Sequence, residues 1–126
     1  MPLVRIDLRR GKSSAHRKAI CDGIYRAMRE TFDVPENDRF MIVNEHDAEN
    51  FVFAESYLGI AHGDDLVIIQ ITANDTRTLE QKQAFFARLA ALLAENPGLR
   101  KEDVIINLVE CKKENWSFGN GIAQYV

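Results

Sequence analysis

The sequence lacks the features that mark several large classes of protein. No apolar run approaches the roughly 20 residues of a membrane-spanning helix, and the first residues lack the charged and then apolar order of a signal peptide. The 16 basic residues are outnumbered by 19 acidic ones, giving a net charge of −3, which excludes the strongly basic surface typical of nucleic-acid-binding proteins. We therefore expect a cytoplasmic protein that contacts neither membranes nor nucleic acids.

Motifs for metals and nucleotides are also missing. Cys21 and Cys111 lie far apart and form no CxxC motif, so we expect two buried, reduced thiols and no disulfide. His16, His46 and His62 do not have the spacing of metal ligands. No glycine-rich phosphate-binding motif precedes a helix. We therefore expect neither a metal nor a cofactor.

What is present predicts one α/β domain over residues 1–126. Alternating or continuous apolar residues predict strands, and apolar residues at intervals of three and four predict helices. Thr78 to Gln81 has the form of a capping box that opens the second helix. A short ribbon strand is expected at residues 51–53, and a closing hairpin or packing arm at residues 115–126. The main predicted elements are strands at 1–8, 40–43, 66–71 and 104–109, and helices from Ser13 or Ser14 to near Asp33 and from Thr78 to about Asn96.

The two halves of the chain repeat one pattern. A shift of 65 residues superposes their helices and following strands, placing Asp38 on Asp103 and Glu45 on Glu110. This predicts two βαβ units, at about 2–61 and 65–126, with both helices on one face of a four-stranded sheet. The strands at 66–71 and 104–109 are nearly continuous in apolar residues, as in strands buried on both faces. Since the helices cover only one face, we expect other subunits of a cyclic homo-oligomer to cover the second.

Pro2 is the first candidate for chemistry. If the initiator methionine is removed, as small second residues generally allow, the chain begins with a secondary amine at the head of a buried strand. A free α-amino group titrates at about 7.7–8.0, so burial and neighbouring charge decide whether it acts as a base or an acid near neutrality. The alternative is a proline that merely begins a strand, where its missing N–H costs nothing.

Asp38 and Arg77 are candidates because of their places along the chain. In a parallel pair, the entry to the second strand lies beside the start of the first, so Asp38 can come close to Pro2 and favour its protonated form. Arg77 lies in the loop before the second helix, from which a guanidinium can hold a carboxylate with two hydrogen bonds. The alternatives are a turn aspartate, which Asp103 in the matching place supports, and a solvated loop arginine. Trp116 and Phe118 are either ordinary packing residues or the wall of an apolar pocket that excludes water.

Taken together, these features resemble the tautomerase superfamily and, within it, the malonate semialdehyde decarboxylases. The resemblance covers essentially the whole chain, and its most specific segments are residues 37–39 (Asn-Asp-Arg) and 116–119 (Trp-Ser-Phe-Gly). It implies a homotrimer, an amino-terminal proline at Pro2 acting as acid or base, and Asp38 supporting it. It further implies that Arg77 binds a substrate carboxylate beside an apolar wall that includes Trp116 and Phe118.

The sequence departs from this family at one position. The decarboxylases carry two arginines separated by a single residue ahead of the second helix, whereas this stretch reads Asp75-Thr76-Arg77. An aspartate at the first position weakens carboxylate binding, so the substrate or the reaction can differ from that of the family. Arg39 or Arg5 is then the candidate for the missing positive charge.

Three functions remain open at this point. The first is a cofactor-free decarboxylase of a small 3-oxo acid resembling malonate semialdehyde, with Pro2 as general acid. The second is a tautomerase or hydratase of 2-oxo or enol acids, with neutral Pro2 as base, a function that the aspartate at Asp75 makes credible. The third is a non-catalytic binding protein that keeps the same fold. In the two catalytic cases the expected partner is a small oxo acid that bears a carboxylate.

Overall fold

A computed structural model describes residues 2–126 as a four-stranded sheet, two helices and a short two-stranded ribbon. Met1, whose removal the sequence analysis expects, lies outside the described residues. The helices are α1 (Ser14–Phe32) and α2 (Leu79–Glu95). The strands are β1 (Leu3–Arg9), β2 (Phe40–His46), β3 (Ser56–Tyr57), β4 (Ile60–Ala61), β5 (Val67–Asn74) and β6 (Val104–Cys111).

The four long strands form one mixed sheet in the order β2-β1-β5-β6. β1 pairs in parallel with β2, and β5 pairs in parallel with β6, whereas β1 and β5 run antiparallel. A helix connects the strands of each parallel pair, because such strands need a long crossover. The predicted fold class, a four-stranded α/β sheet with two helices on one face, is confirmed.

Local signals start both helices where the sequence predicts them. At the N-terminus of α1, the hydroxyl of Ser13 accepts a hydrogen bond from the backbone N–H of His16. At the N-terminus of α2, Thr78 and Gln81 bond each other reciprocally in the predicted capping box. A cap of this kind stabilises a helix by about 1 kcal/mol. These two caps fix the level at which each helix begins relative to the sheet.

The core fills the space between the two helices and one face of the sheet. Ile6 and Ile69, from the central strands, are fully buried, and the rings of Phe32 in α1 and Phe85 in α2 stack with their centroids 4.7 Å apart. Burying one large aliphatic side chain contributes about 1.5–3 kcal/mol. This packing sets the end of α1 and the start of α2 against the sheet, which matters for the site described below.

The prediction of a ribbon strand at residues 51–53 is wrong. Residues 51–53 form no strand; Phe51 is buried against the ring of His46, at 5.7 Å between centroids, whereas Val52 is 88% exposed. The ribbon lies a few residues later, as β3 and β4. Leu58 and Gly59 form its two-residue turn with φ values of 52° and 79°, the positive values that such hairpin turns require.

The predicted limits of the two long strands of the second half also change. β5 and β6 end at Asn74 and Cys111, three and two residues beyond the predicted ends. Leu66 is fully buried within the chain, and Gln70 is exposed on the face away from the helices. Within the single chain, the predicted burial of this strand on both faces is therefore met only in part.

The end of the chain forms an arm with no strand in residues 116–126. The side chain of Gln124 holds this arm, since it accepts a hydrogen bond from the backbone N–H of Phe118 and donates one to the carbonyl of Gly119. Of the two forms predicted for these residues, the packing arm is right and the hairpin is wrong.

Further observations on residues 2–126 concern membrane spans, metal sites and thiols. None of their helices is long and apolar enough to cross a membrane, and none of their His, Cys, Asp and Glu side chains form a group of three that could hold a metal ion. Cys21 and Cys111 are free thiols. Burial raises the pKa of Cys21 above its ordinary value, which keeps this thiol protonated and poorly reactive at neutral pH.

Candidate active site

The candidate site lies at the end of the sheet where the first strand begins. Leu3 pairs with Phe40 of β2 and with Thr72 of β5. Pro2 therefore lies just beyond this pairing, between the turn that enters β2 and the last residues of β5, and it is buried. The parallel pair brings Asp38 to this end of the sheet, as the sequence predicts. We call it the proline end, and the other end of the sheet the opposite end.

The first part of the site is a recess around Arg77, at the junction of α1, α2 and β5. The guanidinium of Arg77 lies 5.2 Å from the ring centroid of Phe32 and donates hydrogen bonds to the Phe32 carbonyl (3.2 Å) and to the Thr76 hydroxyl (3.4 Å). An arginine has five N–H groups, so most of them remain for a ligand. The residues that line this Arg77 recess include Phe32, Ala73, Asn74, Arg77, Lys82 and Glu110.

The second part is a recess around Asp38, on the β2 side of Pro2. The turn that carries Asp38 is fixed by its backbone N–H bond to the Pro35 carbonyl (3.1 Å). Asn37, at a positive φ of 65°, donates its backbone N–H to the hydroxyl of Tyr25. The Oδ1 atom of Asp38 is buried. The residues that line this Asp38 recess are Asp38, Phe40, Phe118 and Tyr125.

Trp116 joins the two recesses. Its indole N–H donates to Oδ1 of Asn74 at 2.8 Å, and Asn74 lines the Arg77 recess. On the other side, the ring of Trp116 stacks on Phe118 at 5.5 Å between centroids, and Phe118 meets the edge of Tyr125 at 5.1 Å. Trp116 and Phe118 thus form a continuous aromatic wall along the proline end. The hydrogen bond to buried Asn74 fixes the position of this wall.

Arg39 and Arg5 lie outside the residues that line the two recesses. Arg39 donates to Oδ1 of Asp22 at 3.1 Å, and its guanidinium lies 4.6 Å from the ring centroid of Tyr25. The hydrogen bond from Lys18, with a second from Arg39, lowers the pKa of Asp22, so this partner stays ionised. Arg5 is exposed on the sheet face away from the helices, level with Gln70. The single chain therefore does not place either arginine beside Arg77.

Sequence reasoning missed Asn74, Lys82 and Glu110 as residues of the Arg77 recess. Asn74 was missed because polar residues extend β5 past its apolar pattern, and its burial (6% exposed) has no sequence signal. Lys82 follows the capping box, and its position one helical turn after Thr78 was a usable signal. Its Nζ atom lies 2.7 Å from Oε1 of Glu110. Asp75, where the resemblance implies an arginine, is exposed.

Comparison with known proteins gives consistent matches. Two family models match, and both describe a tautomerase enzyme: one matches residues 38–119 and the other matches residues 2–60. The probable tautomerases YusQ and YrdN of Bacillus subtilis (strain 168) are 37% and 36% identical over 126 residues. These alignments cover all of this chain, 99% of YusQ and 97% of YrdN, so the likeness extends over nearly the full length of both relatives.

Solved structures match over nearly the whole chain as well. A malonate semialdehyde decarboxylase, studied for its decarboxylase and hydratase activities, has a TM-score of 0.91 and 33% identity over 98% of this chain and 95% of its own. The FG41 malonate semialdehyde decarboxylase, inhibited by 3-bromopropiolate, has a TM-score of 0.90 and 37% identity over 98% and 93%. A fused 4-OT, solved as a symmetric trimer, has a TM-score of 0.78 over 98% and 97%, and at 20% identity it shows the fold alone.

Proposed function

The chain belongs to the tautomerase superfamily, and we propose that this enzyme is a cofactor-free decarboxylase of a small 3-oxo acid, with malonate semialdehyde as the first candidate. The observation that carries the proposal is the meeting of three elements at the proline end: the start of β1 with Pro2, the entry to β2 with Asp38, and the end of β5 leading to Arg77. The similarity to two malonate semialdehyde decarboxylases, at 33% and 37% identity, supports this choice of substrate.

The proposed reaction assigns one role to each group. Arg77 binds the carboxylate, and the ammonium of Pro2 donates a hydrogen bond to the 3-oxo oxygen, where negative charge develops. The bond between C1 and C2 breaks and CO2 leaves. The electron pair of the broken bond forms the C2–C3 double bond of an enolate. C2 then takes up a proton, so malonate semialdehyde yields acetaldehyde and CO2. The carboxylate of Asp38 keeps Pro2 protonated, and the Trp116 and Phe118 wall excludes water.

Turnover of malonate semialdehyde by the native chain and by Pro2→Ala tests this proposal. A positioned acid contributes about 10²–10⁴ in rate, so the variant should lose that much of kcat/KM. The activity of the native enzyme should fall as pH rises through the pKa of the proline amine, because the protonated form is the reactive one. Equal turnover in both proteins, or no turnover in either, contradicts the proposal.

The mass of the purified protein is the simplest first measurement. Removal of Met1 gives Pro2 a free secondary amine, as the reaction requires. A retained Met1 converts the Pro2 nitrogen into an amide, which neither donates nor accepts a proton at neutral pH. That result would favour the third possibility, a binding protein without catalysis.

The second candidate function is a tautomerase or hydratase of 2-oxo or enol acids, with neutral Pro2 as the base. Two points favour it: Asp75 stands where the resemblance implies an arginine, and the relatives YusQ and YrdN are described as probable tautomerases. A base loses activity as pH falls through the amine pKa, and an acid loses it as pH rises. The direction of the pH profile on each substrate therefore separates the two functions.

We also propose a homotrimer in the cytoplasm, where two free thiols stay reduced. The assembly is supported by large apolar side chains left exposed on the sheet face away from the helices, Phe40 and Ile42, and on the ribbon, Tyr57 and Leu58. Burial of these groups between subunits stabilises association. Light scattering at low micromolar concentration should report about three times the chain mass of 14.4 kDa. A stable monomer contradicts this part of the proposal.

A further inference from the structure

Lys82 has a place in the site that no sequence argument assigned to it. Arg39 is held by Asp22 and Tyr25, outside the recess. The Arg77 recess nevertheless contains a second cation, because Lys82 lies in the first turns of α2 and lines the recess together with Arg77.

Glu110, the partner of Lys82, lies where the carboxylate of a ligand can replace it. The ion pair between Lys82 and Glu110 is partly open to solvent, with side-chain exposures of 25% and 40%. Ion pairs in such positions are weak, and the ammonium of a lysine has three donors that can turn toward different acceptors. A carboxylate bound to Arg77 in this recess can therefore recruit Lys82 without leaving a buried charge unpaired.

We propose that Lys82 is the second substrate-binding cation of this site, beside Arg77, and that Glu110 holds it until a carboxylate enters. The proposal rests on the carboxylate-bearing substrate proposed above. It makes Lys82 a determinant of specificity for acids over neutral oxo compounds. Removing the charge of Glu110 should then strengthen carboxylate binding, because the native ion pair competes with the ligand.

The chain offers a matched control at the opposite end of the sheet. A shift of 65 residues places Lys82 on Arg17 and Glu110 on Glu45, and these two also form an ion pair, at 3.3 Å. Arg17 and Glu45 have equal exposures of 28%, and they lie at the end of the sheet that lacks Pro2. Changes at this pair alter charge and helix-to-sheet packing in the same way but leave the Arg77 recess intact.

Binding of 3-hydroxypropanoate, an unreactive analogue of malonate semialdehyde, tests the proposal. Its binding can be followed by the fluorescence of Trp116, the single tryptophan of the chain, which is bonded to Asn74 in the recess. Lys82→Gln should weaken binding about tenfold, and Lys82→Arg should restore most of the affinity. Glu110→Gln should tighten binding about two- to fivefold. Binding of 3-hydroxypropanamide, which has no charge, should not respond to either change.

Arg17→Gln and Glu45→Gln should leave the affinity for 3-hydroxypropanoate unchanged. The proposal is overturned if Lys82→Gln binds like the native protein, if Glu110→Gln binds more weakly, or if the native protein shows no saturable binding of this acid. Turnover of malonate semialdehyde is a separate measurement. Binding that depends on Lys82 without any turnover would leave this proposal standing and contradict only the decarboxylase function.

Discussion

The two ends of the sheet have the same backbone arrangement but carry different side chains. Under the shift of 65 residues, the pairing of Leu3 with Phe40 becomes the pairing of Ile68 with Ile105, and both pairs occur in the structure. The helix caps Ser13 and Thr78 are related in the same way. Because β1 and β5 run antiparallel, equivalent positions of the two units fall at opposite ends of the sheet. Each end of the sheet therefore holds the first residues of the strands of one βαβ unit and the last residues of the strands of the other.

The side chains show where the two ends diverge. At the opposite end, the chain's own carboxylates engage the cations: Asp65 pairs with Lys12, which is the equivalent of Arg77, and Asp64 pairs with Arg9. At the proline end, Arg77 bonds only neutral oxygen atoms among the described residues. At the opposite end, a carboxylate of the chain itself thus pairs with the cation. At the proline end, we propose that a substrate carboxylate does so. Among the described residues, no carboxylate is bonded to Arg77, so its guanidinium remains for a ligand.

The aspartates that enter β2 and β6 give the sharpest contrast between the ends. Asp103 is 2% exposed and accepts hydrogen bonds from the backbone N–H of Gly63 (2.7 Å) and from Arg100 (3.0 Å). Asp38, its equivalent, lies in a recess beside Phe118. The same residue type at the same point of a repeated unit is structural at one end and, in our proposal, catalytic at the other.

Matched substitutions of these two aspartates should produce the largest effects. Asp38→Asn should lower kcat/KM by about 10²-fold, because Pro2 loses the charge that keeps it in its reactive form. Asp103→Asn should leave the kcat/KM of the folded protein within about twofold, since its contacts lie at the opposite end. Steady-state kinetics on both variants, corrected for the folded fraction, checks this. Similar losses in both variants would contradict the separation of roles.

The contrast also shows how much could be predicted from the sequence. The placing of Asp38 near Pro2 followed from one βαβ unit, whose strands pair locally and in parallel, and the start of α2 followed from its capping box. The site as a whole did not follow, because it depends on the long-range pairing of β1 with β5 and on the polar residues that extend β5 to Asn74. The bond between Asn74 and Trp116 joins residues 42 positions apart, and no local pattern encodes it.

The stability of the opposite end should depend on pH through Asp103. The hydrogen bond from Arg100, aided by the backbone N–H of Gly63, lowers the pKa of Asp103. A carboxyl group with a lower pKa in the folded state than in the unfolded state stabilises the fold above its unfolded pKa of about 3.9. This contribution is lost as pH falls through the folded pKa.

Denaturant unfolding of the native chain and of Asp103→Asn, at one protein concentration, tests this dependence. At pH 7 the variant should be less stable by about 1–3 kcal/mol, the usual effect of removing a buried hydrogen-bonded group. The difference between the two proteins should shrink as pH falls below 4, because the native carboxyl group also becomes protonated. A difference that stays constant from pH 7 to pH 2.5 would mean that the charge of Asp103 is not what stabilises this end.

The smallest effect is expected where the aromatic walls of the two ends are made alike. The shift of 65 residues places Trp116 on Phe51 and Phe118 on Phe53, so Trp116→Phe gives the proline end the same pair of rings as the opposite end. The substitution keeps the stacking on Phe118 but removes the N–H that Asn74 accepts. A neutral hydrogen bond contributes about 0.5–1.5 kcal/mol, so KM should rise roughly two- to tenfold with little change in kcat.

A double-mutant cycle separates this role from simple packing. Asn74→Ala should raise KM by a similar factor, and adding it to Trp116→Phe should have little further effect, because the single bond that both residues share is already gone. Phe51→Leu at the opposite end should leave KM unchanged. If the effects of Asn74→Ala and Trp116→Phe instead multiply, the two residues act independently. The wall would then be held by the stacking of Trp116, Phe118 and Tyr125, and the difference between the ends would lie in their cations alone.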